Sequence, residues 1–109
     1  MGTTIITVKN LARGQLSNSI GDIYTVPAAT QAVIKSINLF NTNTSAETIA
    51  IHILVSGQTV RQIIGGSLAL SGGYCIDDTE YTLAAGDKIQ GNSTTNAKVN
   101  YVISGIEES

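Results

Sequence analysis

Few side chains in this chain could do chemistry, and they do not gather. The sequence holds one histidine, one cysteine and one knot of acidic residues. A metal site needs several His, Cys, Asp or Glu side chains converging, and a histidine-based triad needs a nucleophile and an orienting acid. His52 stands alone in the apolar segment "TIAIHILVS", where a hydrogen-bonded structural histidine is expected. Asp77, Asp78 and Glu80 in "CIDDTEY" alternate as carboxylates around Ca²⁺ can, yet they lack the Asp-x-Asp-x-Asp-Gly spacing of a dedicated loop. They read as a solvated turn, which Asp87 could join only through folding. Cys75 is single, so no disulfide can close within the chain, and a buried inert thiol is expected. The glycine pairs of "IIGGSLALSGG" (Gly65, Gly66, Gly72, Gly73) are followed by neither Lys-Ser/Thr nor a predicted helix. Phosphate-loop and dinucleotide patterns are thereby excluded, and bends in a sandwich loop are expected instead. The residues point to a protein that is not an enzyme and binds no metal or cofactor.

Those side chains would have to be positioned by one small domain. At 109 residues there is no room for two ordinary cores, but a chain of this length can bury roughly two thirds of its unfolded surface. Residues 1–109 are read as one unit, with 1–3 and 107–109 as frayed or contact-making termini. Hydrophobic residues make up 42%, whereas charged residues make up only 13%, about half the usual quarter. Thr, Ser, Asn, Gln and Gly take the polar share, which suits sheet faces and surfaces that touch other protein. The formal charge of −2 and the scattered basic residues leave no footprint for nucleic acid. No apolar run approaches a bilayer span, and the N-terminus lacks the pattern of a signal peptide. Synthesis in a cytoplasm is expected, so the Asn-x-Ser/Thr matches at Asn43 and Asn92 carry no weight.

Helical periodicity is hard to find. Short segments rich in Ile, Val, Thr and Tyr recur between turn residues, the pattern of a sandwich or barrel. Strands are predicted near Thr4–Asn10, Gly21–Val26, Gln31–Asn41, Thr48–Val55, Gln58–Ile64, Gly73–Ile76, Tyr81–Leu83, Lys88–Asn92 and Lys98–Ile106. The fold class is all-β: a single-domain antiparallel β-sandwich, jelly-roll-like, of about eight strands. Alternation is cleanest where Ile49, Ile51, Ile53 and Val55 share one face, opposite Ala50, His52 and Leu54. In the last strand Val99, Tyr101 and Ile103 oppose Asn100, Val102 and Ser104. Neither second face is strongly polar, which partial cover by a neighbouring subunit, or equally by a loop of the same chain, would explain.

Two corners are predicted. Pro27, the only proline, cannot donate to a ladder and holds Val26 extended, so it belongs at a strand end. Ala28 and Ala29 then allow a tight passage towards the next strand. In "LAAGDKI", Gly86 and Asp87 form a turn in which the glycine supplies a positive φ. Tyr24, Tyr74, Tyr81, Asn43 and Asn92 are the candidate partner contacts, drawn from strand tyrosines and Asn/Thr-rich loops.

Three segments taken together, "GDIYTVPAATQAVIKSINLFNTN", "TIAIHILVSG" and "TLAAGDKIQGNSTTNAKVNYVISGIEE", resemble small β-sandwich virion proteins of tailed bacteriophages. The likeness runs from about residue 11 onward and rests on the order and spacing of motifs that are individually weak. It implies a structural part of a phage particle: first a capsid decoration or cement protein binding the head lattice as a small homo-oligomer, with a trimer favoured. The alternative is a tail, neck or fibre accessory with a receptor- or glycan-binding role. The implied partners are the major capsid protein or other virion proteins, with no nucleic acid and no membrane. The implied location is the virion, after synthesis in the host bacterial cytoplasm. Similar sequences often carry Ala-Gly after the proline, so Ala28-Ala29 speaks against a positive φ at residue 29.

Overall fold

The computed structural model describes residues 6–57, 60–68 and 73–109. The described residues form nine strands: β1 (Ile6–Gln15), β2 (Gly21–Thr25), β3 (Gln31–Asn41), β4 (Glu47–Leu54), β5 (Val60–Leu68), β6 (Tyr74–Asp77), β7 (Tyr81–Leu83), β8 (Lys88–Ser93) and β9 (Val99–Glu108). They form two sheets, one in the order β1-β9-β3-β6 with β7 also beside β3, the other β2-β8-β4-β5. Because β6 and β7 follow one another along β3, the nine strands fill eight positions, four in each sheet.

The antiparallel pairs are nested. β4 pairs with β5, β3 with β6 and β7, β2 with β8, and β1 with β9. Successive pairs of this long hairpin fall alternately in the two sheets, and β3–β9 and β4–β8 pairing closes each sheet across the wrap. A wrapped antiparallel ribbon of eight positions is a jelly roll. The connections after β1, β3 and β8 gather at one end of the sandwich, and those after β2, β4 and β7 at the other.

Inward residues of both sheets build one core, including Ile34, Ile37, Ile51, Ile89 and Ile103, all fully buried. In β3 the inward set is Ala32 and Ile34, then Ile37 and Leu39. The change of parity falls where the β3–β9 register slips between Ile34 and Ser36. Lys35 is the extra residue of this bulge, which turns the rest of the strand over so that its apolar residues still face the core. Released outward, Lys35 pairs with Glu80 at 2.7 Å.

Some boundaries differ from expectation. β1 continues past Asn10 to Gln15, although "LARGQ" has little strand character, because β9 offers it a continuous partner through a register shift beside Leu11. β5 passes through Gly65 and Gly66, which pair with Ala50 and Ile49, so these two glycines are strand residues and not bends. Gly72 lies outside the described residues. Glu107 and Glu108 are also in strand, paired with both β3 and β1, and are not frayed. Residues 1–3 fall outside the description.

Candidate interaction surface

The outer face of the β1-β9-β3-β6 sheet carries the most unusual surface among the described residues. Register places Tyr74 beside Phe40, Phe40 beside Asn100, and Asn100 beside Gln15 across β6, β3, β9 and β1. The next rank runs Ile76, Asn38, Val102 and Arg13. Tyr74 is 68% exposed, Ile76 56%, Phe40 45% and Val102 38%, so four large apolar side chains on adjacent strands face solvent together. With aromatic side chains of ~150–250 Å² each, these fractions amount to roughly 400 Å² of apolar surface. That is within the range where a monomer's largest patch is often functional. Asn38 sits among them and donates from Nδ2 to Ser36 Oγ at 3.3 Å, while Gln15 Nε2 donates to Asn100 Oδ1 at 3.1 Å along the polar side. Arg13 is the one charged residue in the two ranks.

The outer face of the other sheet is different in kind. Asp22 accepts from Gln90 Nε2 at 2.7 Å and from Lys88 Nζ at 2.9 Å. Those bonds, from Gln90 first and Lys88 second, hold its carboxyl below the usual 3.8. His52 lies on this face of β4, opposite Gln90 and Gln62. Its Nδ1 has no hydrogen-bond partner, and neither has Oδ1 of Asn92 on the neighbouring strand. Among the described residues no group of three His, Cys, Asp or Glu side chains could hold a metal ion.

At one end of the sandwich the two predicted corners meet. Val26 N donates to Asp87 O at 2.9 Å and Gly86 N to Val26 O at 3.1 Å. Asp87 N donates to Ala84 O at 3.0 Å, closing a β-turn, and Gly86 stands at its third position with φ 87°. Only the third residue has a positive φ, the pattern of a type II turn. Asp87 is nearly buried; its Oδ1 accepts from Ser56 N and its Oδ2 from Ala84 N, both at 2.9 Å. One carboxylate thus ties together the connections after β4 and β7. Pro27, Ala28 and Ala29 are exposed beside it. Ala29 has φ 56°, so the expectation against a positive φ there is corrected: the left-handed residue is made by an alanine. Thr30 Oγ1 donates to Ala28 O at 3.1 Å across the turn.

The opposite end is organised by Glu47, whose role the sequence reading missed. Its carboxylate is 1% exposed; Oε1 accepts from Thr95 N at 2.8 Å, and Oε2 from Thr95 Oγ1 at 2.8 Å and Asn43 Nδ2 at 2.9 Å. Burial pushes this carboxyl up, but the donors from Asn43 and Thr95 outweigh it and leave it below its ordinary 4.5. Buried Asn41 donates to Ser45 O at 3.0 Å and accepts from Asn43 N at 2.8 Å. The glutamate joins the connection after β3 to the one after β8.

The five candidate contacts are not brought together. Tyr24 is a core residue, with its hydroxyl donating to Glu107 Oε2, and so offers no exposed ring; this corrects its assignment as a surface contact. The error comes from the bulge at Ile23, which turns Tyr24 inward between Asp22 and Thr25. Tyr81 is half-buried and donates to Asp77 Oδ2 at 2.8 Å. Asn43 serves Glu47, and Asn92 lies on the opposite sheet from the apolar patch. Tyr74 alone among the five belongs to that patch. Phe40, Ile76 and Val102 were not singled out. Their signal was the apolar character of the second face of β9, and locating the others required the pairing of β6 with β3.

Comparison with known proteins gives the class of fold. No protein-family model and no curated protein sequence matches the chain. Among solved structures it is similar to a protein of Bacillus endospore appendages, which form disulfide-linked pili, with a TM-score of 0.58 and 14% identity over 99% of this chain and 91% of that one. It is also similar to a chain of the acid-stable capsid of Helicobacter pylori bacteriophage KHP30, with a TM-score of 0.55 and 11% identity over 99% and 89%. At such identities the shared property is the fold. It is an antiparallel β-sandwich found in both a pilus and a phage capsid.

Proposed function

We propose that this chain is a non-enzymatic structural protein of a bacteriophage particle, a decoration or cement protein that binds the head lattice as a small homo-oligomer. The observation that carries the self-association in this reading is the uncharged apolar patch of Phe40, Tyr74, Ile76 and Val102 on one sheet. Such a surface gains free energy by being covered with protein. The buried carboxylates Glu47 and Asp87 are engaged in holding loop ends, which leaves them committed to architecture. The sandwich shared with a phage capsid chain supports a place in the virion, with the major capsid protein or another virion protein as partner. Many modest contacts repeated by symmetry can then give stable attachment.

The test is the position of the chain on the particle. Antibody raised against the purified chain is applied to intact phage and imaged by electron microscopy. Regular labelling of heads is expected. Labelling confined to tails or fibre tips would overturn decoration, and particles without the chain would overturn the virion reading.

A further inference from the structure

We infer that the apolar patch on the β1-β9-β3-β6 sheet is the contact between two copies of this chain, packed face to face about a two-fold axis. The inference rests on the reading of the protein as a self-associating structural subunit and names the surface and the symmetry.

Three observations converge. The patch is bounded: Tyr74 and Ile76 form the sheet's outer strand, Phe40 and Val102 lie one and two strands inward, and Gln15, Asn100 and Arg13 rim the far side. Tyr74 and Ile76 lie on one face of β6, separated by Cys75, which packs against the core. The patch is also almost free of charge, so a second identical face meets it without repulsion between like charges. An axis running across the strands, between the two ranks, lays Tyr74 of each copy on Ile76 of the other and Phe40 on Asn38. Arg13 then comes over Gln15 at the wet rim. This isologous arrangement closes on itself, as most small homo-oligomers do.

The area agrees. Roughly 400 Å² of apolar surface per copy, with its polar rim, gives on the order of 1,000–1,200 Å² buried in total, the lower bound for a specific interface. A pair of this size associates reversibly, and lattice binding can reinforce it. On the opposite sheet the described outward residues of β2 and β8 are polar, with Lys88 and Gln90 both bonded to Asp22. A two-fold pair is thus inferred where the resemblance implied a trimer.

Asn38 supplies the discriminating variant. It is half-buried at the centre of the patch, so Asn38→Asp keeps the shape of the sheet while placing a carboxylate in the proposed contact. Sedimentation velocity of the full chain over a wide concentration range is expected to show mass rising towards twice that of the single chain. The Asn38→Asp chain, with its circular dichroism unchanged, is expected to stay single at pH 7. It should regain association when the pH is lowered enough to protonate the carboxylate but not to unfold the chain. Should Asn38→Asp fail to fold, the exposed pair Tyr74→Ser and Ile76→Thr replaces it, with the same loss of association expected. A wild-type chain that is single at every concentration overturns the inference, as does a dimer that these variants leave intact. Labelling of particles is read separately: a dimer found only on tails refutes decoration, one absent from particles refutes the virion reading, and both leave this contact standing.

Discussion

Asp87 gives a direct test of how the corner end is held. Replacement by Ala removes the acceptors of two backbone donors, Ser56 N and Ala84 N, each now at 2.9 Å from a carboxylate oxygen. Hydrogen bonds to a charged group contribute about 1.5–3 kcal/mol each in net terms. Water can reach a loop end and partly replace them, so the pair is taken near the lower bound, about 2–4 kcal/mol. That is a large part of a domain's total of about 5–15 kcal/mol. For a domain near 100 residues it corresponds to a fall in Tm of about 10–20 °C. The assay is thermal and urea denaturation followed by far-UV circular dichroism, with wild type, Asp87→Ala and Asp87→Asn in parallel. Asn retains one acceptor but turns an amide N–H₂ towards a donor, so it should fall between the other two. If Asp87→Ala melts within about 3 °C of wild type, with an unchanged urea slope, the carboxylate does not tie these connections and the argument fails.

Further perturbations test other parts of the fold. Ala29→Gly relieves an alanine at φ 56° and should raise stability by about 0.5–1 kcal/mol despite glycine's greater freedom when unfolded; a lower urea midpoint would contradict the strain. Gly105→Ala should be severely destabilising, about 3 kcal/mol or more, because the added Cβ would lie 2.2 Å from Val33 O in the neighbouring strand; a normal urea midpoint would count against this close packing. Acid should also weaken the protein. The carboxyls of Glu47 and Asp77 are pushed up by burial but drawn further down by their donors, and that of Asp22 is drawn down by Gln90 and Lys88. Folded values below 4.5 for Glu47 and 3.8 for the aspartates mean that their contribution is present above those values and lost as pH falls through the folded ones. Glu47→Gln should therefore lower Tm at pH 7 and flatten its decline below pH ~4; a decline as steep as wild type would remove Glu47 from the account.

The strands and their class could be read from sequence because β4 alternates cleanly and turn residues punctuate the chain at short intervals. Ile49, Ile51 and Ile53 face the core as their spacing requires. What escaped that reading depends on pairing partners. The bulges at Ile23 and Lys35 reverse which residues face inward, and a period of two cannot announce where it resets. That is why Tyr24, chosen as one of the strand tyrosines, belongs to the core and not to the surface. The glycines of β5 looked like bends because Gly is a poor strand former, yet β4 supplies the ladder that holds them. Glu47 gave no local signal at all, since its donors come largely from Thr95, far along the chain. The patch was legible only as a weakly polar alternate face in β9; β3 and β6 had to be set beside it before Phe40, Tyr74 and Ile76 became one surface.

The nesting of the pairs also dictates an order of events during synthesis. Among the described residues β1 is paired in its sheet with β9 alone, and Ile6 lies opposite Glu108, so during synthesis β1 waits for a strand made far later in the chain. Until β9 arrives, β3 also lacks the partner that runs along its whole length, and two unsatisfied edges stand open together. Final closure is therefore a late, slow step set by the long loop that must be shut, and a nascent or truncated chain without β9 is the species most exposed to mispairing with its neighbours.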